Sequence, residues 1–202
     1  MLLDEGYIKF KANWEKTPAL PADQITVLNY WRQEMYHYNL IGAYPNGIGF
    51  GNISQRIGNT DQFIISGSAT GNYPKLTTEH YAKVNSVDID KNELTCEGPI
   101  IASSESMSHA MIYQSNPKIK GVIHVHHLEL WKDLMFKVPT TELGATYGSP
   151  EMAYSILDLF QTTNLNEEKI FVMQSHEEGV FAFGETLEEA AQVVLKWKEV
   201  LR

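Results

Sequence analysis

The sequence predicts an α/β fold, a central and mainly antiparallel sheet covered by helices on both faces. Three observations carry this. Helical stretches alternate along the chain with strand-like runs, some adjacent and some joined by crossovers, the pattern of a layered α/β domain. The 202 residues, 43% of them hydrophobic, suffice for one domain with a full core. No internal repeat, low-complexity tract or linker interrupts the chain, so one domain over residues 23–202 is expected, preceded by an N-terminal arm over residues 1–22.

Taken in order, the arm ends at Pro18 and Pro21. From Asp23 to Leu40 apolar residues recur at helical spacing through Ile25, Leu28, Trp31, Met35 and Tyr38. His37, near the end of this helix, reads as structural or as a complement to the C-terminal dipole. A glycine-rich loop follows through Gly42, Gly47, Gly49 and Gly51. Strands are expected at 52–57, 62–66, 81–89 and about 94–96. A helix should start after Ser103 and end near Ser115, and a strand should follow at 120–126. Residues 128–136 read as a helix, and so do 150–160, with Ser149 as N-cap and Pro150 at the first helical position. Two late strands are expected at 169–174 and 179–183. The last helix begins at Thr186, where Glu189 three residues on completes a capping box.

Composition narrows the function. Sixteen basic against 25 acidic residues give a formal charge of −9, which argues against general nucleic-acid or anionic-membrane binding but leaves room for a small basic pocket for a phosphate. The single cysteine, Cys96, rules out an internal disulfide, fits a reducing compartment, and reads as a small apolar residue of a strand. The opening residues lack the basic flank and apolar run of a signal peptide, and no stretch approaches the ~20 apolar residues of a membrane span. A cytoplasmic protein is expected.

The stretch Gly121-Val122-Ile123-His124-Val125-His126-His127 carries the chemistry. Side chains alternate along a strand, so His124 and His126 share one face and His127 points away, a structural residue. Two imidazoles side by side are half of a tetrahedral metal site. Ser103-Ser104-Glu105 stands at a helix start, where hydroxyls, N–H groups and the dipole can hold an anion; simple N-capping is the plainer alternative. Gly51-Asn52-Ile53-Ser54 puts a small residue and an amide at the mouth of a strand, where backbone can approach a ligand. Ser66-Gly67-Ser68-Ala69-Thr70-Gly71 offers further hydroxyl and N–H donors, or an ordinary turn. His109 follows Glu105 by one helical turn and reads either as support for the site or as packing. His80 is expected on the surface, and Trp131, Phe136 and Trp197 in the core or an interface.

In this order the pieces resemble the class II aldolase/adducin family: Gly51-Asn52-Ile53-Ser54, the loop ending Thr70-Gly71, Ser103-Ser104-Glu105 followed by His109 and Tyr113, His124-Val125-His126, the strand at 170–174, and the segment from Gly184 to Ala190. The resemblance covers residues 23–202. It implies a three-layer α/β/α sandwich and a divalent metal, usually Zn2+, on three histidines. It also implies Glu105 as base, and a substrate phosphate held by Asn52, Ser66, Gly67, Thr70, Gly71, Ser103 and Ser104. Members cleave, epimerise or dehydrate small phosphorylated sugars, often as tetramers, so a homo-oligomer is expected. The aromatics Trp31 and Tyr36, expected to be exposed, would fit one.

Two departures stand out. The family has a histidine directly before a glycine in the late turn, where this chain reads His176-Glu177-Glu178-Gly179. His176 is the expected third ligand, with Glu178 the alternative. The segment 138–144 is short and the family's C-terminal tail is not seen, which leaves the protonating acid open, with Tyr147 one candidate. The residues therefore point to a metal-dependent lyase or isomerase. A non-catalytic module like the adducin head is the alternative, and a cupin-like barrel using Glu129 fits poorly because 128–136 reads as helical.

Overall fold

The computed structural model describes residues 7–200. Its elements in chain order are β1 (Lys11–Lys16), α1 (Ala22–His37), β2 (Gly42–Ala43), β3 (Gly49–Phe50), β4 (Asn52–Arg56), β5 (Phe63–Ser66), β6 (Tyr81–Asp88), β7 (Glu93–Gly98), α2 (Ser106–Ser115), β8 (Gly121–His126), α3 (Leu128–Leu134), α4 (Pro150–Thr162), α5 (Leu165–Glu168), β9 (Ile170–Val172), β10 (Gly179–Gly184) and α6 (Leu187–Val200). Eight strands form one sheet in the order β1-β7-β6-β5-β4-β8-β10-β9, and β2 and β3 make a separate hairpin. Every pair in the large sheet is antiparallel except β1 with β7.

Strand alternation separates two apolar layers. Phe63, Ile65, Val84, Val122, Phe181 and Phe183 pack on one face against Met107, Met111, Met152 and Ile156 of α2 and α4. Ile64, Ile123, Val125, Val172, Val180 and Ala182 pack on the other against Leu28, Met35, Leu130, Leu134 and Val194 of α1, α3 and α6. The result is the expected three-layer α/β/α sandwich with a mainly antiparallel sheet. Cys96 is buried in the first of these layers.

Helix ends follow their sequence signals. The Ser149 side chain accepts from the Met152 N–H at the start of α4, with Pro150 in the first turn. Glu189 N–H donates to Thr186 Oγ1, and the Glu189 carboxylate returns to the Glu185 N–H, closing a box one residue wider than the expected pattern. His127 turns away from the histidine pair and caps α3, its ring accepting from the Leu130 N–H. His80 is half-buried and closes a capping box with Thr77 over a single 3-10 turn.

Four expectations change. Residues 11–16, read as part of an arm, form an edge strand. Backbone pairing with β7 needs no side-chain pattern, and the strand is pinned by buried Phe10 and by Trp14 Nε1–H donating to Gly98 O. The glycine-rich loop contains the β2–β3 hairpin. Trp31 is half-buried against the second layer, and the exposed aromatics here are Tyr30 on α1 and Tyr38 just past its end. Of the two places expected for Phe136, the core is ruled out and the interface is left: the residue is exposed, because α3 stops at Leu134 and Phe136 takes a left-handed backbone conformation, φ 61°. Residues 1–6, including the opening segment read for targeting signals, lie outside the described residues. Among those described, no helix is long and apolar enough to cross a membrane.

Candidate metal centre

β8 is buried along its whole length, between β4 and β10. Val122 faces the α2 layer and Ile123 and Val125 the opposite one, so His124 and His126 project toward α2. In the register, Asn52 lies opposite His124 from one side and Phe181 from the other, and Gly179 lies opposite His126. The Phe181 ring stacks on His124 at 4.3 Å, and Phe50 stacks on His126 at 5.5 Å.

The turn between β9 and β10 brings a third imidazole to the pair. His176 N–H donates to Met173 O and Gly179 N–H to His176 O, a tight loop that sends the His176 side chain inward. His126 Nε2 lies 3.0 Å from His124 Nε2 and 3.1 Å from His176 Nε2. All three rings are buried, with ligand atoms within 4.8 Å of one another. Glu105, at the start of α2 and almost fully buried, places Oε1 3.9 Å from His124 Nε2 and 3.8 Å from His176 Nε2.

This donor set fits a divalent metal. Ligand nitrogens about 2.0–2.1 Å from a tetrahedral ion stand about 3.3 Å apart, close to the spacings seen. Burial, and then the neighbouring imidazoles, hold His124 and His126 well below the usual histidine range, and burial brings His176 down to about 4. The rings are therefore neutral at pH 7, the form that ligates. His124 Nδ1–H donates to Val180 O, leaving its Nε2 lone pair turned into the cluster. Lone pairs held this close repel unless a cation sits among them.

Glu178, the alternative ligand, lies elsewhere. Its Oε2 approaches His126 from the Nδ1 side, 3.9 Å away, and accepts from Tyr44 Oη–H at 2.7 Å. Tyr147 packs on His176 at 4.8 Å, its hydroxyl accepts from the Tyr7 N–H, and Lys9 Nζ lies 3.9 Å over its ring.

The residues expected to hold a phosphate gather beside the centre. A bridge pairs Gly67 with Ala102, and Ser68 N–H donates to Ile101 O, which sets the 66–71 loop against Ser103-Ser104. Several of its groups are already committed. Ser66 Oγ accepts from Ile53 N–H, Gly67 N–H donates to His80 O, and Thr70 Oγ1–H donates to Gly67 O. Ser103 Oγ accepts from Glu105 N–H in a local turn ahead of the helix; neither serine caps α2, whose N-cap position is Glu105 with no side-chain cap bond. A Cβ on Gly71 would meet Gly42 O at 2.4 Å, so only glycine lets this loop lie on the β2–β3 hairpin.

Asn52 is oriented through His109. Burial drives His109 down to about 3, so the ring is neutral and has one N–H to give. Its Nε2 stands 2.6 Å from Asn52 Oδ1, an acceptor only, and therefore donates. Its Nδ1 then accepts from Ser54 Oγ–H at 2.6 Å, and Ser54 accepts from Tyr113 Oη–H at 2.8 Å. The chain of bonds uses the oxygen of the Asn52 amide and not its N–H groups. Sequence reasoning leaves His109 undecided. It misses Arg32, which is fully buried and donates from Nη2 to Thr70 O and Gly71 O. The signal for it is a charge on the apolar stripe of α1, between Leu28 and Met35.

Residues 33–131 match the family model for the class II aldolase and adducin N-terminal domain. Among solved structures, an L-fuculose 1-phosphate aldolase is 19% identical, with a TM-score of 0.68 over 91% of this chain and 84% of that one. The L-fuculose-1-phosphate aldolase of Thermus thermophilus is 21% identical, with a TM-score of 0.63 over 90% and 92%. A sugar-phosphate aldolase from Thermotoga maritima is 17% identical, with a TM-score of 0.66 over 89% and 93%. Residues 33–131 thus match the class II aldolase and adducin N-terminal domain, and the fold around them is the one seen in these class II aldolases.

Proposed function

We propose that the protein is a metal-dependent, aldolase-type lyase acting on a small phosphorylated sugar or related hydroxy-carbonyl compound. The observation that carries this is the buried Glu105 carboxylate within 4 Å of two members of a three-imidazole cluster. His124, His126 and His176 hold the metal, with Zn2+ the ion that three nitrogens suit best. Bound there, it supplies Lewis-acid polarisation of a substrate carbonyl or hydroxyl.

The chain's own residues do the rest. Glu105 takes the substrate proton as general base; burial beside neutral imidazoles keeps it out of bulk water. Ser108 Oγ–H donates to its Oε2, which holds the carboxylate in place. The Asn52 amide and Ser104 reach the phosphate, while Ser66, Gly67, Thr70 and Gly71 shape the loop around it and Ser103 holds the start of α2. The same reading makes the protein a cytoplasmic homo-oligomer, a tetramer by the family resemblance. The exposed Tyr30 on α1 and Tyr38 at its C-terminal end support an interface there.

The test is metal analysis and turnover together. Protein purified without added metal should carry about one zinc per chain, and His124→Ala should lose it. Glu105→Gln should keep the zinc and lose sugar-phosphate cleavage by about 100-fold or more, on the order of what a general base contributes. Wild-type protein that binds no metal refutes the proposal.

A further inference from the structure

Glu178 occupies the position directly before Gly179, yet it faces the back of the cluster rather than the cluster itself. It does so with a left-handed backbone, φ 71°, which costs a non-glycine residue conformational energy. Three segments distant in sequence meet there. Tyr44, from the β2–β3 hairpin, lies 2.9 Å from His126 Nδ1 and donates to Glu178 Oε2 at 2.7 Å. A tyrosine has one hydroxyl hydrogen, and the carboxylate, which can only accept, takes it. Toward His126 the hydroxyl oxygen therefore accepts, and His126 carries its proton on Nδ1. Its Nε2 is left as a bare lone pair, 3.0 Å and 3.1 Å from the other two Nε2 atoms.

We propose that Tyr44 and Glu178 are a positioning pair that locks His126 in the Nδ1–H form with Nε2 turned inward, and so sets the affinity of the centre for its metal. The inference rests on the metal centre proposed above and adds what holds it ready. Without the pair, His126 can rotate or place its proton on Nε2, where the hydrogen would point at the ion. The negative charge of Glu178, felt through the tyrosine hydroxyl, also makes the imidazole a stronger donor; partners behind a ligating histidine commonly change metal affinity by about 10- to 100-fold. The Tyr44 ring is itself held, packed on Phe50 at 4.7 Å, so Tyr44→Phe removes the hydroxyl and leaves the packing.

The experiment is zinc affinity by competition with a chromophoric chelator, for wild type, Tyr44→Phe, Glu178→Gln and Glu178→Ala, with His124→Ala as control. Tyr44→Phe and Glu178→Ala should weaken zinc binding by about 10-fold or more. Glu178→Gln, which still accepts from the tyrosine but carries no charge, should fall between these and wild type. As a second measurement, 15N chemical shifts of the imidazoles in the metal-free protein should show His126 protonated on Nδ1 in wild type and a tautomer mixture in Tyr44→Phe. Affinity of Tyr44→Phe within about twofold of wild type, or an Nε2–H form in wild type, overturns the inference while leaving the centre intact. Absence of zinc binding in wild type, or full binding by His124→Ala, instead defeats the metal centre itself.

Discussion

Replacing His109 by leucine tests whether the hydrogen-bond chain through this residue is real. The imidazole is fully buried and bonds to both Asn52 and Ser54. Leucine is of similar bulk, so the cavity is small, but Asn52 Oδ1 and the Ser54 hydroxyl lose their partner in a dry layer. A buried polar group left without a partner costs about 1–3 kcal/mol, so a loss of about 2–6 kcal/mol at about pH 7.5 is expected. Acid narrows this gap. In the folded protein His109 takes a proton only near about 3, against 6.5 when unfolded. Below 6.5 the unfolded chain therefore binds the extra proton, and wild-type stability falls as pH drops. By about pH 5 this single residue removes about 2 kcal/mol from wild type and nothing from the leucine variant. Urea unfolding of the zinc-free proteins, followed by tryptophan fluorescence at about pH 7.5 and 5, measures both terms. The other buried histidines are present in both proteins; of them only His124 also feels His109, behind burial and its two nearer imidazoles. A variant as stable as wild type at the higher pH, or a gap that does not narrow at the lower, would refute the assignment.

Two further outcomes follow from backbone geometry. Gly71→Ala should destabilise the fold by about 1–3 kcal/mol in urea titration, since its Cβ would lie 2.4 Å from Gly42 O and 2.7 Å from Phe50 N, both backbone atoms with little room to yield. Ser149→Ala should cost about 1 kcal/mol through loss of the α4 cap, read as a fall of about 2–4 °C in melting temperature, with zinc content unchanged. A cap that mattered to the metal centre would change both.

Much of the architecture is written locally. Ser149-Pro150 starts a helix and Thr186 with Glu189 starts another, because caps satisfy N–H groups within about four residues of themselves. Period-two alternation at 121–126 likewise puts His124 and His126 on one face whatever surrounds them. Edge pairing is less legible. The segment 11–16 carries no apolar alternation, and only the open edge of β7 makes a strand of it. The same limit hid Arg32 and Tyr44, whose partners lie 38 and 82 residues away.

From residue order alone come the layered fold, through the succession of helical and strand periodicities, and the histidine pair and the carboxylate at a helix start, through spacing within one element. Tertiary structure alone decided that His176 turns inward while Glu178 lies behind His126 against Tyr44. Two residues of one turn differ in direction only through the backbone dihedrals between them, and those are set by what the turn packs against.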